Sequence, residues 1–151
     1  MQNDILFSVP RVGLALIIVR GDKVLLHLRN GKHAPGLWGF PGGHLEKFEE
    51  FDDCALRELE EEARPNIKVS YPKLFTTTNG FYKEEDKHYI TIFMRSEWYA
   101  GEAQIMEPDK CTEWRWFTWD ELSYMLSDLL PGIRTLIHKG YNPINCENAL
   151  W

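Results

Sequence analysis

Four carboxylates, Glu58, Glu60, Glu61 and Glu62, crowd the end of a run that reads as helix from Glu49 to Glu61, with neither Pro nor Gly inside it. The C-terminal end of a helix carries partial negative charge, so each acid there costs a few tenths to about 1 kcal/mol. Glu58 and Glu62 add a like-charge i,i+4 pair. Local helix stability therefore opposes these residues. At about 100° per residue, Glu58, Glu61 and Glu62 fall within roughly a quarter of the circumference, while Glu60 points elsewhere. Ala55, Leu56, Leu59 and Ala63 form a neighbouring apolar arc that can pack on a sheet. Three carboxylates on one stripe make an oxygen-rich site for a hard divalent cation such as Mg²⁺ or Mn²⁺, which would relieve their repulsion. The bland alternative is a solvated acidic face, the usual fate of a charge run.

What precedes the helix tips the balance. Pro41 leads into Gly42-Gly43, and the spacing then runs Gly43, five residues, Glu49, seven residues, Arg57-Glu58-Leu59, one residue, Glu61-Glu62. This pattern resembles the Nudix box, the signature of the Nudix hydrolases. Three positions depart from it. Arg64 stands where the family usually has Gly, Pro65 where an aliphatic residue follows, and Phe48 where Gly often precedes the first Glu. Pro65 can stop the helix in place of the missing Gly, because it pushes the preceding residue out of the α region.

The resemblance implies an α/β chain with the Nudix fold, a mixed β-sheet sandwiched between α-helices. It implies cleavage of a pyrophosphate linkage with Mg²⁺ as cofactor and Mn²⁺ as a substitute. Glu58, Glu61 and Glu62 then hold metal, joined by the backbone carbonyl of Gly42. Arg57 orients the carboxylates, a task suited to a bidentate guanidinium, and Glu49 pairs with it. A further Glu from a late loop serves as base or extra ligand, with Glu113 the first candidate and Glu107 the next. Arg29, at a strand end, resembles the position that grips phosphate; a solvated strand end is the alternative.

Two later segments narrow the family. Glu107 to Trp116, and Pro131-Gly132-Ile133-Arg134 followed by Gly140-Tyr141-Asn142-Pro143, resemble the MutT-like nucleoside triphosphate diphosphatases, and among them the eukaryotic subgroup acting on guanine and thioguanine nucleotides. That subgroup holds the base with backbone groups at the start of the last helix, and the matching positions are Gly132 and Ile133. Phe81, Tyr82, Trp114 and Trp116 are candidates to stack on a base. The expected reaction is hydrolysis of a nucleoside triphosphate to the monophosphate and pyrophosphate, serving nucleotide-pool sanitation or control. The alternatives are ADP-ribose, a nucleotide sugar, a dinucleoside polyphosphate or capped RNA as substrate, or a non-catalytic nucleotide sensor. Loss of box acids usually marks a sensor, and none is lost here. The resemblance also allows a homodimer.

The elements that must position these groups follow from patterning. The chain has 151 residues, 44% apolar and 26% charged, which suits a single domain over 1–151 with a real core. A net charge of −6 argues against a general binder of duplex nucleic acid. Cys54, Cys111 and Cys146 match no zinc spacing and read as reduced thiols of a cytoplasmic protein. Met1 to Pro10 lacks the basic start and apolar run of a signal peptide, and no stretch is apolar enough for a membrane span. Val12–Val19 reads as a buried central strand, turning at Arg20–Lys23 into a second strand, Val24–Leu28. Further strands are expected at 37–40, within 67–78, at 88–99 and at 114–117. Loops are expected at 30–36, 79–87 and 101–110. A helix starts near Asp120, and another covers about Gly132 to Lys139.

Overall fold

The computed structural model describes residues 9–63 and 65–145. Arg64, Cys146 and most of the tail after Tyr141 therefore lie outside the described residues, as does the segment before Val9. The strands are β1 (Arg11–Arg20), β2 (Lys23–Arg29), β3 (Trp38–Gly39), β4 (Gly42–His44), β5 (Lys68–Val69), β6 (Lys73–Tyr82), β7 (Lys87–Ala100) and β8 (Cys111–Thr118). The α-helices are α1 (Phe51–Ala63), α2 (Trp119–Leu122) and α3 (Pro131–His138).

Among the described residues, all eight strands join one mixed sheet. β1 and β7 run parallel from Arg11↔Tyr89 to Val19↔Glu97, and the other pairings are antiparallel. β1 is buried on both faces, which explains its unbroken apolar run. Leu14, Leu16 and Ile18 pack with Cys54, Ala55, Leu59 and Ala63 of α1. Ile17 and Val19 pack on the other side with Leu122, Ile133 and Leu136 of α2 and α3. The sheet is thus sandwiched between helices, as expected. Among the described residues no helix is long and apolar enough to cross a membrane.

One feature of the pairing opens a cleft. β1 bonds β2 only at Val19–Arg20, and it bonds β4 at Gly13–Ala15. The far end of β2, with His27 and Arg29, therefore splays from the start of β1.

Local differences from the sequence reading have physical causes. The box helix begins at Phe51 and runs on to Ala63, with Cys54 rather than Leu56 completing its buried arc. Residues 79–82, expected in a loop, extend β6. Its polar residues alternate, with Thr76, Thr78 and Gly80 inward, and the ladder with β7 continues to Tyr82↔Lys87. Ser70, Tyr71 and Pro72 break the expected 67–78 strand into β5 and β6. Thr118 caps α2, through a capping box with Glu121, and Asp120 stands in its first turn. Cys54 and Cys111 are free thiols.

Candidate active site

β4 lies beside the last two turns of α1, and its glycines let it close on both β1 and the helix acids. A Cβ on Gly42 would sit 2.0 Å from the Leu14 carbonyl oxygen, and one on Gly43 would sit 2.3 Å from Glu58 Oε1. The Gly42 N–H donates to Glu62 Oε1 at 3.2 Å. Glu58, Glu61 and Glu62 all face the same cleft as Gly42 and Gly43.

Arg57 is the hub of this array. Its Nε and Nη2 donate to the two Glu49 oxygens at 2.7 and 3.0 Å, a bidentate fork. Nη1 reaches Glu58 Oε1 at 2.9 Å and Glu61 Oε1 at 3.4 Å, and Nη2 also donates to the His44 carbonyl at 3.2 Å. The Arg57 hydrogen bond holds the Glu49 carboxyl down at about 2. Phe48, just before Glu49, has φ of +66° and a side chain 95% exposed, so the chain adopts the left-handed conformation of the usual Gly without having one.

Burial, and then the neighbouring Glu58, push the Glu62 carboxyl up. Burial likewise raises Glu58 despite Arg57 beside it. Glu62 Oε2 is buried without a hydrogen-bond partner and lies 3.6 Å from His27 Nδ1. Burial and the charge of Arg29 lower His27 to about 3, so it is neutral and the contact is not an ion pair. Both His27 ring nitrogens also lack partners. Among the described residues no three acidic, histidine or cysteine side chains converge into a ready-made cation cage. Glu61 leans on Arg57 and remains 53% exposed. An unpartnered buried carboxylate oxygen beside a second carboxylate nonetheless suits a hard cation, because oxygen donors are what Mg²⁺ and Mn²⁺ take.

The cleft, about 510 Å³, extends from these acids to an aromatic end. Arg29, Lys32 and Lys110 line it, as do Gly132 and Ile133 at the start of α3. The Ile133 N–H already donates to the Leu130 carbonyl at 3.0 Å. Gly132 sits at the second position of α3, where the helix itself offers an N–H no acceptor. Tyr82, Tyr89, His33 and His44 form the aromatic wall, with His44 Nε2 3.3 Å from the Tyr89 hydroxyl.

The structure does not bring Glu113 to this site. Strand alternation in β8 puts Trp114 and Trp116 on the α1 side and Phe117 on the other. Glu113 shares the latter face and bonds Arg115 at 2.5 Å. Glu107, the second candidate, lines the cleft and bonds Lys110 at 3.2 Å. Of the proposed stacking residues only Tyr82 lines the cleft; Phe81 faces solvent. Sequence reasoning missed His27, Lys32, Lys110, His33, His44 and Tyr89. The signal for His27 was its place two residues before Arg29, on the same strand face. His44 follows Gly43 directly and Lys110 lies within the Glu107–Trp116 segment, whereas Lys32, His33 and Tyr89 are joined to the site only through the fold.

A family model described as the NUDIX domain matches residues 9–139. The NAD-capped RNA hydrolase NudC of Pseudomonas putida is 29% identical over 118 residues, which is 76% of this chain but only 40% of that protein. The MutT Nudix hydrolase from Burkholderia pseudomallei superposes with a TM-score of 0.67 at 29% identity, covering 74% of this chain and 85% of the other. A Nudix hydrolase from Nitrosomonas europaea shares the fold, with a TM-score of 0.72 at 19% identity over 88% of each chain. With the Gly-Gly turn, the acidic helix and the sandwiched mixed sheet in place, the chain belongs to the Nudix family.

Proposed function

We propose that this chain is a divalent-metal-dependent hydrolase that cleaves nucleoside triphosphates to the monophosphate and pyrophosphate. The observation that carries this reading is a single cleft whose carboxylate end and aromatic end are joined by a cationic wall. Its volume of about 510 Å³ lies within the range of small-molecule sites.

Glu58, Glu61 and Glu62, with the Gly42 carbonyl, would hold the cation, Mg²⁺ or Mn²⁺ in its place. When bound, that ion neutralises phosphate charge and acidifies a water. Arg57 keeps Glu58 and Glu61 turned toward the cleft, and Glu49 keeps Arg57 in place. Glu61, whose contact with Arg57 is long, would be available to the ion. Arg29, Lys32 and Lys110 offset the charge of the polyphosphate. Glu107 replaces Glu113 as the group placed to accept a proton from the attacking water. The Gly132 N–H faces the base, and Tyr82 and His33 offer it an aromatic surface.

A second reading keeps the chemistry and changes the substrate, because the curated relative acts on NAD-capped RNA. The chain spans about 40% of that relative's length, so the comparison carries little beyond the shared domain. One assay separates the two. The protein is incubated with Mg²⁺ and canonical and modified nucleoside triphosphates, alongside ADP-ribose, nucleotide sugars, dinucleoside polyphosphates and NAD-capped RNA, and the products are resolved by chromatography. Monophosphate and pyrophosphate from a triphosphate are expected. Cleavage confined to the other compounds would move the assignment to the second reading, and binding without cleavage would make the chain a sensor.

A further inference from the structure

Loop 30–37, between β2 and β3, is pinned at its base. The Arg29 N–H donates to the Leu37 carbonyl and the Gly36 N–H to the Arg29 carbonyl, both at 2.9 Å. Its tip is different. Ala34 has φ of +47°, a conformation that a residue with a Cβ keeps only when its surroundings impose it. The group that meets it is Glu85, at the end of the 3₁₀ turn (Lys83–Glu85) joining β6 to β7. Glu85 Oε1 accepts from the Ala34 N–H at 3.3 Å, and Oε2 lies 2.5 Å from His33 Nδ1. Although burial works the other way, the hydrogen bonds from Ala34 and His33 bring the Glu85 carboxyl below its ordinary range. The His33 ring then packs 4.8 Å from Tyr82 and 6.0 Å from Tyr89, and the His33 carbonyl accepts from Arg29 Nε at 3.4 Å.

We propose that Glu85 is a positioning residue: by clasping His33 and Ala34 it holds loop 30–37 against the β6–β7 turn, and so fixes the aromatic wall that receives the base. This rests on the nucleotide reading above. One carboxylate spans two loops more than fifty residues apart and presets both an aromatic ring and the backbone that supports Arg29. Without it the tip keeps only the long Arg29–His33 carbonyl bond and ring packing on Tyr82 and Tyr89. The closed form becomes a fraction of the population, and apparent affinity falls by that fraction. Glu58 and Glu61 are held separately by Arg57, and Glu62 by the Gly42 N–H, so turnover is spared.

The test compares wild type with Glu85→Ala and Glu85→Gln in steady-state kinetics on the triphosphate that wild type cleaves fastest, and in amide hydrogen exchange. Loss of a charge-assisted hydrogen bond at the clasp is expected to raise KM about tenfold in the Ala variant, with kcat within about twofold. The amides of Lys32, His33 and Ala34 should exchange faster while those of β1 do not change. The Gln variant keeps an acceptor for the Ala34 N–H and should fall between. An unchanged KM, with or without faster exchange, overturns the proposal, as does a fall in kcat alone. If wild type cleaves no triphosphate, the nucleotide reading has failed instead. Exchange at Lys32, His33 and Ala34 then decides the clasp by itself: faster exchange in the Ala variant upholds it, and unchanged exchange overturns it.

Discussion

Replacing Arg57 by Lys tests the organisation of the acidic end most directly. The guanidinium bonds both Glu49 oxygens, Glu58, Glu61 and the His44 carbonyl at once. An ammonium has three donors on one atom and cannot span Glu49 and Glu58 together. At least two charge-assisted bonds are lost. The Arg57 side chain is 27% exposed, so solvent screening reduces each to about 1 kcal/mol or less, and the expected loss of stability is ~1–2 kcal/mol. For a chain of this size that lowers Tm by about 3–6 °C. The larger effect falls on activity. Groups that orient metal-binding carboxylates typically account for about 10–100-fold in activity or metal affinity. We expect kcat to drop by that factor and the Mg²⁺ concentration for half-maximal rate to rise. Thermal melts and Mg²⁺ titrations of rate on the same preparations measure both. A variant with the lowered Tm but wild-type kcat and Mg²⁺ dependence would show that Arg57 only stabilises the fold, and would refute the reasoning.

Three further outcomes are expected. Glu61→Gln should cut turnover by about a hundredfold or more while shifting Tm by only about 2 °C or less, because the side chain is half exposed. Phe48→Gly should raise stability by ~0.5–1 kcal/mol in urea denaturation. The left-handed conformation costs an L-residue about 1–2 kcal/mol, part of which is offset by the greater unfolded-state freedom of Gly, and the exposed ring buries little. Glu49 sits at about 2 in the folded protein against an ordinary value of 4.5, so its contribution is complete above about pH 5 and is lost as pH falls from there toward 2. The stability difference between wild type and Glu49→Gln should therefore be constant from about pH 5 to 7 and shrink at pH 3; a difference that grows on acidification would contradict the Arg57 pairing.

Local chemistry was readable from the chain alone. The stripe of Glu58, Glu61 and Glu62, the Gly42-Gly43 turn and the buried run of β1 depend on spacings of a few residues, which helical and strand periodicity convert directly into faces. The hairpin at Gly21 is equally local. The family resemblance drew on the same short spacings and so reached the carboxylate end of the cleft.

The other end was decided by tertiary structure. Which late glutamate faces the cleft depends on the β8 register, and a shift of one residue would exchange Glu113 for the opposite face. The extension of β6 to Tyr82 depends on its ladder with β7 rather than on its own polar sequence. His27 meets Glu62, and His33 and Ala34 meet Glu85, only because separate strands and loops converge. Pairwise proximity across the sheet leaves no periodic trace in a single chain. The acids proposed to hold a metal were therefore legible as one helical stripe, and Arg29, Tyr82, Gly132 and Ile133 were candidates from the sequence, while the groups that join them in the cleft, His27, Lys32, His33, Tyr89 and Lys110, became visible only once the sheet had closed around them.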